Sequence, residues 1–91
     1  MLHRARVVQT SRLLIRLQQL DEAQRILENS VQDHPDSPPL FANLGIVAEL
    51  RQDNKKALDY YEKYLAAAPA GSVRTAIEKR VADLKKRTGG Q

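Results

Sequence analysis

His3 and His34 are the side chains best suited to proton transfer in this sequence, and neither has company. Nucleophilic catalysis needs Ser, Thr or Cys beside a base. His3 stands at the terminus and His34 precedes Pro35 in a helix-breaking stretch, so no such pair is expected. Two isolated histidines, with no cysteine and no His-x₃-His spacing, also make a poor metal site. Asp21-Glu22 and Asp36 could be imagined as paired carboxylates. Asp21-Glu22 fits better as support for a helix N-terminus through its dipole, and Asp36 as a solvated turn residue. Gly89-Gly90 lies at the chain end and makes no phosphate loop. No catalytic residue, metal or cofactor is therefore expected, and the chain reads as a non-enzyme.

The basic residues offer a different chemistry. Arg4, Arg6, Arg12 and Arg16, together with Lys85-Lys86-Arg87, could contact phosphates. Aromatics make up only 4% of the chain, however, so a base-stacking platform is missing and nucleic acid is the less favoured partner. The net charge of +4 lies wholly in residues 1–20, which hold four arginines and no acid, whereas residues 21–91 hold eleven bases and eleven acids. An Arg-rich, acid-poor, amphipathic start resembles a mitochondrial presequence in composition, yet the same residues fit the helical pattern below. Arg12 and Arg16 break into the one apolar run, Leu13–Leu17, which argues against a secretory signal. No stretch is long enough to span a bilayer. The absence of cysteine suits a reducing compartment and equally a periplasm; the compartment stays open, with the cytoplasm favoured. Tyr61 is expected in the core and Tyr60 on the convex side or at a subunit contact, with core or edge packing the default for Tyr64 as well.

These side chains must be carried by helices, because the apolar spacing is helical throughout. Leu2–Gln19, Asp21–Asp33, Pro38–Gln52, Lys55–Ala68 and Ser72 to about Lys86 each hold one apolar face. Pro35 disfavours the α conformation at His34 and ends the second segment. Ser37-Pro38 then offers an N-cap and a first-turn proline. Asp53-Asn54 reads as a tight turn, and Pro69-Ala70-Gly71 breaks the fourth segment. Thr88–Gln91 is expected to be a disordered tail. The fold class is all-α, in one domain of 91 residues. A chain of this mass buries roughly 64% of its unfolded surface by the size-scaling relations, so its margin of stability is thin.

A shift of 34 residues places Ala23 on Ala57, Leu27 on Tyr61, Val31 on Leu65 and Pro35 on Pro69. Phe41-Ala42-Asn43-Leu44-Gly45, followed by Asp53, Ala57, Tyr61 and Pro69, resembles the tetratricopeptide repeat over residues 38–71. Residues 4–37 are a degenerate copy, with Val7, Thr10 and Ser11 in the aromatic, Leu and Gly positions, while Tyr64 stands where the family prefers a small residue. The resemblance implies an α-solenoid of two helical hairpins, 4–37 and 38–71, with 72–87 as a capping helix and 88–91 as a tail. A single hairpin cannot bury its apolar stripe, so stacking builds the core and the first helices line a concave face. Gly45 lets two helices approach closely, at a cost of about 0.8–1.0 kcal/mol against Ala.

The same resemblance implies a protein-binding scaffold whose peptide groove is formed by Val8, Gln9, Arg12, Ile15 and Arg16, then Ala42, Asn43, Ile46, Glu49 and Leu50, closed by Ile77 and Arg80. An apolar strip edged with arginines, with Glu49 as its one acid, should prefer a ligand that alternates hydrophobic and acidic residues. The alternative is that the arginine stems merely cover apolar surface. Family members that grip chaperone C-termini do so with Lys, Asn and Arg; the matching positions here are Val8, Arg12, Asn43, Val73 and Ile77, and Asn43 alone agrees. Two repeats fall short of the three or so that usually stand alone. The Leu2, Val7 and Leu14 side of the first helix is therefore expected to be uncovered, and the chain to form a homo-oligomer through it.

Overall fold

The computed structural model describes residues 4–87, which form five helices and no strand. They are α1 (Arg4–Arg16), α2 (Leu20–Asp33), α3 (Pro38–Leu50), α4 (Asn54–Ala67) and α5 (Ser72–Arg87). The all-α class is as the apolar spacing implied. Leu2, His3 and the tail 88–91 lie outside the described residues.

The turns explain the boundaries. Gln18 has φ of 63° and closes α1 in a Schellman arrangement: its own N–H donates to the Ile15 carbonyl and that of Gln19 to the Leu14 carbonyl. The chain repeats this 34 residues later. Gln52 also has φ of 63°, with N–H donation from Gln52 to Glu49 and from Asp53 to Ala48. The starts and ends of α1 and α2 recur at the same offset in α3 and α4. Asp53 caps α4 by accepting from the Lys56 N–H at 3.2 Å. Ser37 occupies the cap position of α3 but does not cap with its side chain. Pro38 and Pro39 hold the first two helical positions, where a proline has no N–H to give, and Ser37 Oγ is buried without a hydrogen-bond partner. Arg74 of α5 donates to the Leu65 and Ala68 carbonyls at 2.7 and 3.0 Å, satisfying the end of α4 with a cation where the helix dipole favours one.

Two apolar clusters hold the helices together. Val7, Ala23, Leu27, Leu40, Leu44 and Val47 join α1, α2 and α3. Phe41, Ala57, Tyr61, Tyr64, Ile77, Val81 and Leu84 join α3, α4 and α5. Gly45 lies directly under the Tyr61 ring, where a β-carbon would lie 2.9 Å from Cζ and nearer still to Cδ1 and Cε1. At the matching position of the first hairpin stands Ser11, whose hydroxyl is buried and donates to the Val7 carbonyl at 2.8 Å.

Contrary to the expectation for α1, its Val7 and Leu14 side is covered: Val7 is 4% exposed and Leu14 packs beside it, because that side of the helix faces α2 and α3. The bare apolar residues are Leu13 and Leu17, at 55% and 57% exposure.

Candidate groove between the odd-numbered helices

α1, α3 and α5 border a cavity of about 780 Å³. α1 contributes Val8, Arg12, Ile15 and Arg16, α3 contributes Ala42, Asn43 and Ile46, and α5 contributes Ile77 and Arg80. Nine of the twelve residues expected to share a groove therefore do line one cavity. Asn43 is the pin of this wall: its Nδ2 donates to Ser11 Oγ at 3.2 Å and to the Val8 carbonyl at 3.4 Å, tying α3 to α1.

Three expected residues stand elsewhere. Gln9 is exposed outside the cavity. Its counterpart Asn43 turns toward the preceding helix, whereas among the described residues Gln9 has no helix on that side. On α3 the wall ends at Ile46, one turn before Glu49 and Leu50; Leu50 is 46% exposed. Glu49 is directed to the joint between α4 and α5. It accepts from Tyr61 Oη at 2.9 Å, Arg80 Nη1 at 3.0 Å and Arg87 Nη2 at 2.8 Å. Burial pushes the Glu49 carboxyl up, but the hydrogen bonds from Arg87, Tyr61 and Arg80 outweigh it and leave its pKa below the ordinary value. Burial and the neighbouring Glu49 carboxylate together raise the Tyr61 hydroxyl. Glu49 is thus a clasp between helices, not the acidic spot in the groove.

The cavity has walls that were not expected. Tyr64 is 6% exposed and faces it, with Pro38, Pro39, Pro69, Ser72, Val73 and Ala76. The signal for Tyr64 was its size at a position where the first hairpin has the small, buried Ser30. Tyr60 is half-buried and lines a smaller cleft with Gln24, Arg51 and Lys56.

The electrostatics follow from the lining. Among the described residues no Asp or Glu borders the cavity, while Arg12, Arg16 and Arg80 do. Arg80 shares its charge with Glu49; Arg12 and Arg16 have no ion pair among the described residues. Burial works against the Arg80 charge, but Tyr61 and Glu49 beside it hold its pKa above the usual guanidinium value. Among the described residues no three His, Asp or Glu side chains converge in a way that could hold a metal, and no helix is long and apolar enough to cross a membrane. Set against models of protein families, curated proteins and solved structures, the chain gives no significant match to any.

Proposed function

We propose that the chain is a two-repeat tetratricopeptide-type module, an α-solenoid with α5 closing the second repeat, that binds a protein segment in the groove of α1, α3 and α5. On this reading it is a scaffold rather than an enzyme. The 34-residue recurrence of helix bounds and turns supports the repeat assignment. The observation that carries the function is the cavity itself: an apolar wall of Val8, Ile15, Ala42, Ile46, Val73 and Ile77, with Arg12 and Arg16 at its edge and, among the described residues, no ion pair to either and no carboxylate in the lining. Its volume lies within the roughly 300–1,000 Å³ range of ligand clefts. A segment alternating apolar and acidic residues fits it, because each guanidinium offers a carboxylate two parallel donors.

The terminal carboxylate of a ligand is not the feature read. Of the five matching positions, Asn43 spends its amide N–H groups on Ser11 and Val8, Val8, Val73 and Ile77 have no side-chain donor, and Arg12 alone keeps one. The test is fluorescence anisotropy with two labelled peptides, one alternating Leu with Glu and one alternating Leu with Lys. The acidic peptide should bind, its affinity should not change when its C-terminus is amidated, and Arg12→Glu with Arg16→Glu should weaken it at least about tenfold. Circular dichroism must show that the double variant keeps its helices. Equal binding by the folded double variant would remove the groove as the recognition site.

A further inference from the structure

On α3, the side turned toward the first hairpin carries Leu40, Asn43, Leu44 and Val47. The three apolar residues enter the cluster around Leu27, and Asn43 bonds to α1. Counting back 34 residues from these positions gives Arg6, Gln9, Thr10 and Leu13 on α1. Among the described residues nothing covers that set: Arg6, Gln9 and Leu13 are exposed and Thr10 is half-buried. Leu17, one turn past Leu13, extends the bare ridge, whereas its counterpart Arg51 reaches back to Asp21. The face that seats α3 on a helical hairpin therefore recurs on α1 with no hairpin of the described residues against it.

The differences between the two faces identify the occupant. Leu40 becomes Arg6 and Leu44 becomes Thr10, so the α1 face tolerates water and needs no permanent cover. Leu13 and Leu17 are four residues apart and form one apolar ridge. α1 holds no acidic residue, and Arg6, the arginine on this face, has no carboxylate partner among the described residues. A second copy presenting the same face would bring no carboxylate to Arg6. A helix with a short apolar stripe edged by Asp or Glu answers both features at once.

We propose that the outward face of α1, formed by Arg6, Gln9, Leu13 and Leu17, is a docking surface for an acidic amphipathic helix of a partner protein. It lies on the opposite side of α1 from Val8, Arg12 and Ile15, and does not depend on what the groove binds. The probes are two stapled helical peptides with the same leucine stripe, one flanked by Glu and one by Lys, titrated into the full chain by calorimetry. The Glu peptide should bind at least about tenfold tighter than the Lys peptide. Leu13→Asp with Leu17→Asp, at two exposed positions, should weaken it by about tenfold or more, and Arg6→Glu by several-fold, with circular dichroism unchanged. Arg12→Glu, on the groove side, should leave it within about twofold. Three results would each overturn the proposal: no binding of the Glu peptide, loss of binding through Arg12→Glu but not through the leucine pair, or a dimer by sedimentation equilibrium that the leucine pair dissolves.

Discussion

Between α1–α2 and α3–α4 the same hairpin is built twice, down to the left-handed glutamine that ends each first helix, yet the interiors are filled differently. Where the helices of the second hairpin cross, Gly45 lies against the full ring of Tyr61. In the first hairpin the matching residues are Ser11 and Leu27, both fully buried. The side chain gained on one helix is lost on the other. Packing at native density demands that kind of exchange, because the backbone separation fixes the volume available and not which helix supplies it. The hairpins also differ in what surrounds them. α3 is covered on both sides and buries eight of its residues, whereas α1, among the described residues, has a helical neighbour on one side only and exposes Leu13, with Leu17 bare just past its end.

The sharpest way to break this comparison is to move one solution into the other site. Gly45→Ser should cost about 3 kcal/mol, since the buried Tyr61 ring cannot retreat. Gly45→Ser combined with Tyr61→Leu, which copies the first hairpin, should cost at least about 1 kcal/mol less than the two changes summed. Urea unfolding measures both, and strict additivity would mean that the two crossings are not equivalent.

The next effect separates the hairpins by pH. Glu49 has a clasp that its counterpart Ile15 cannot make. Its carboxyl titrates lower in the folded chain than its ordinary value of 4.5. The folded state therefore prefers the ionised form; the stabilisation is present above that ordinary value and is lost as pH falls through the folded pKa. Glu49→Gln should cost about 1–2 kcal/mol at neutral pH and progressively less as the pH falls below that ordinary value, read from thermal unfolding across pH. A constant difference at every pH would show that the clasp does not act through charge.

The smallest effect tests the shared backbone. Gln18→Gly and Gln52→Gly should each stabilise by about 0.5–1 kcal/mol, because glycine accepts a positive φ without steric penalty although it widens the unfolded ensemble. Equal gains sharpen the equivalence of the two turns; a gain at only one would break it.

Much of the fold was legible because prolines and caps punctuate it. Pro35, Pro38, Asp53 and Pro69 locate the helix ends to within about two residues. The groove was legible as far as helical spacing carries, which is why Val8, Arg12, Ile15, Ala42 and Ile46 share one wall. Glu49 was misplaced because spacing gives a direction around one helix and says nothing of Arg80 and Arg87, more than thirty residues away, which draw it aside. Val7 was misplaced for a related reason: the side of α1 that faces α3 cannot be told from the side that faces nothing until the two helices are set together. The left-handed glutamines carried no signal of their own, since Gln is not a residue that marks such turns. Ser37 misled because Pro39 removes one of the two backbone donors that a capping hydroxyl can use, and its Oγ takes no bond from the other.

The Tyr61–Glu49 contact also gives the protein a built-in optical reporter. The chain has no tryptophan and three tyrosines, so its near-ultraviolet absorbance and emission come mainly from phenol rings. Tyr61 is wholly enclosed and its proton is held by burial and by a carboxylate acceptor. As alkali is added, that ring keeps its proton while the fold persists and ionises only once the second hairpin opens. The folded state is thereby favoured below the ordinary phenol pKa of about 10 and loses that advantage as pH climbs above it. With Tyr60 and Tyr64 replaced by Phe, phenolate absorbance comes from this ring alone and reports the opening of the second hairpin without a dye.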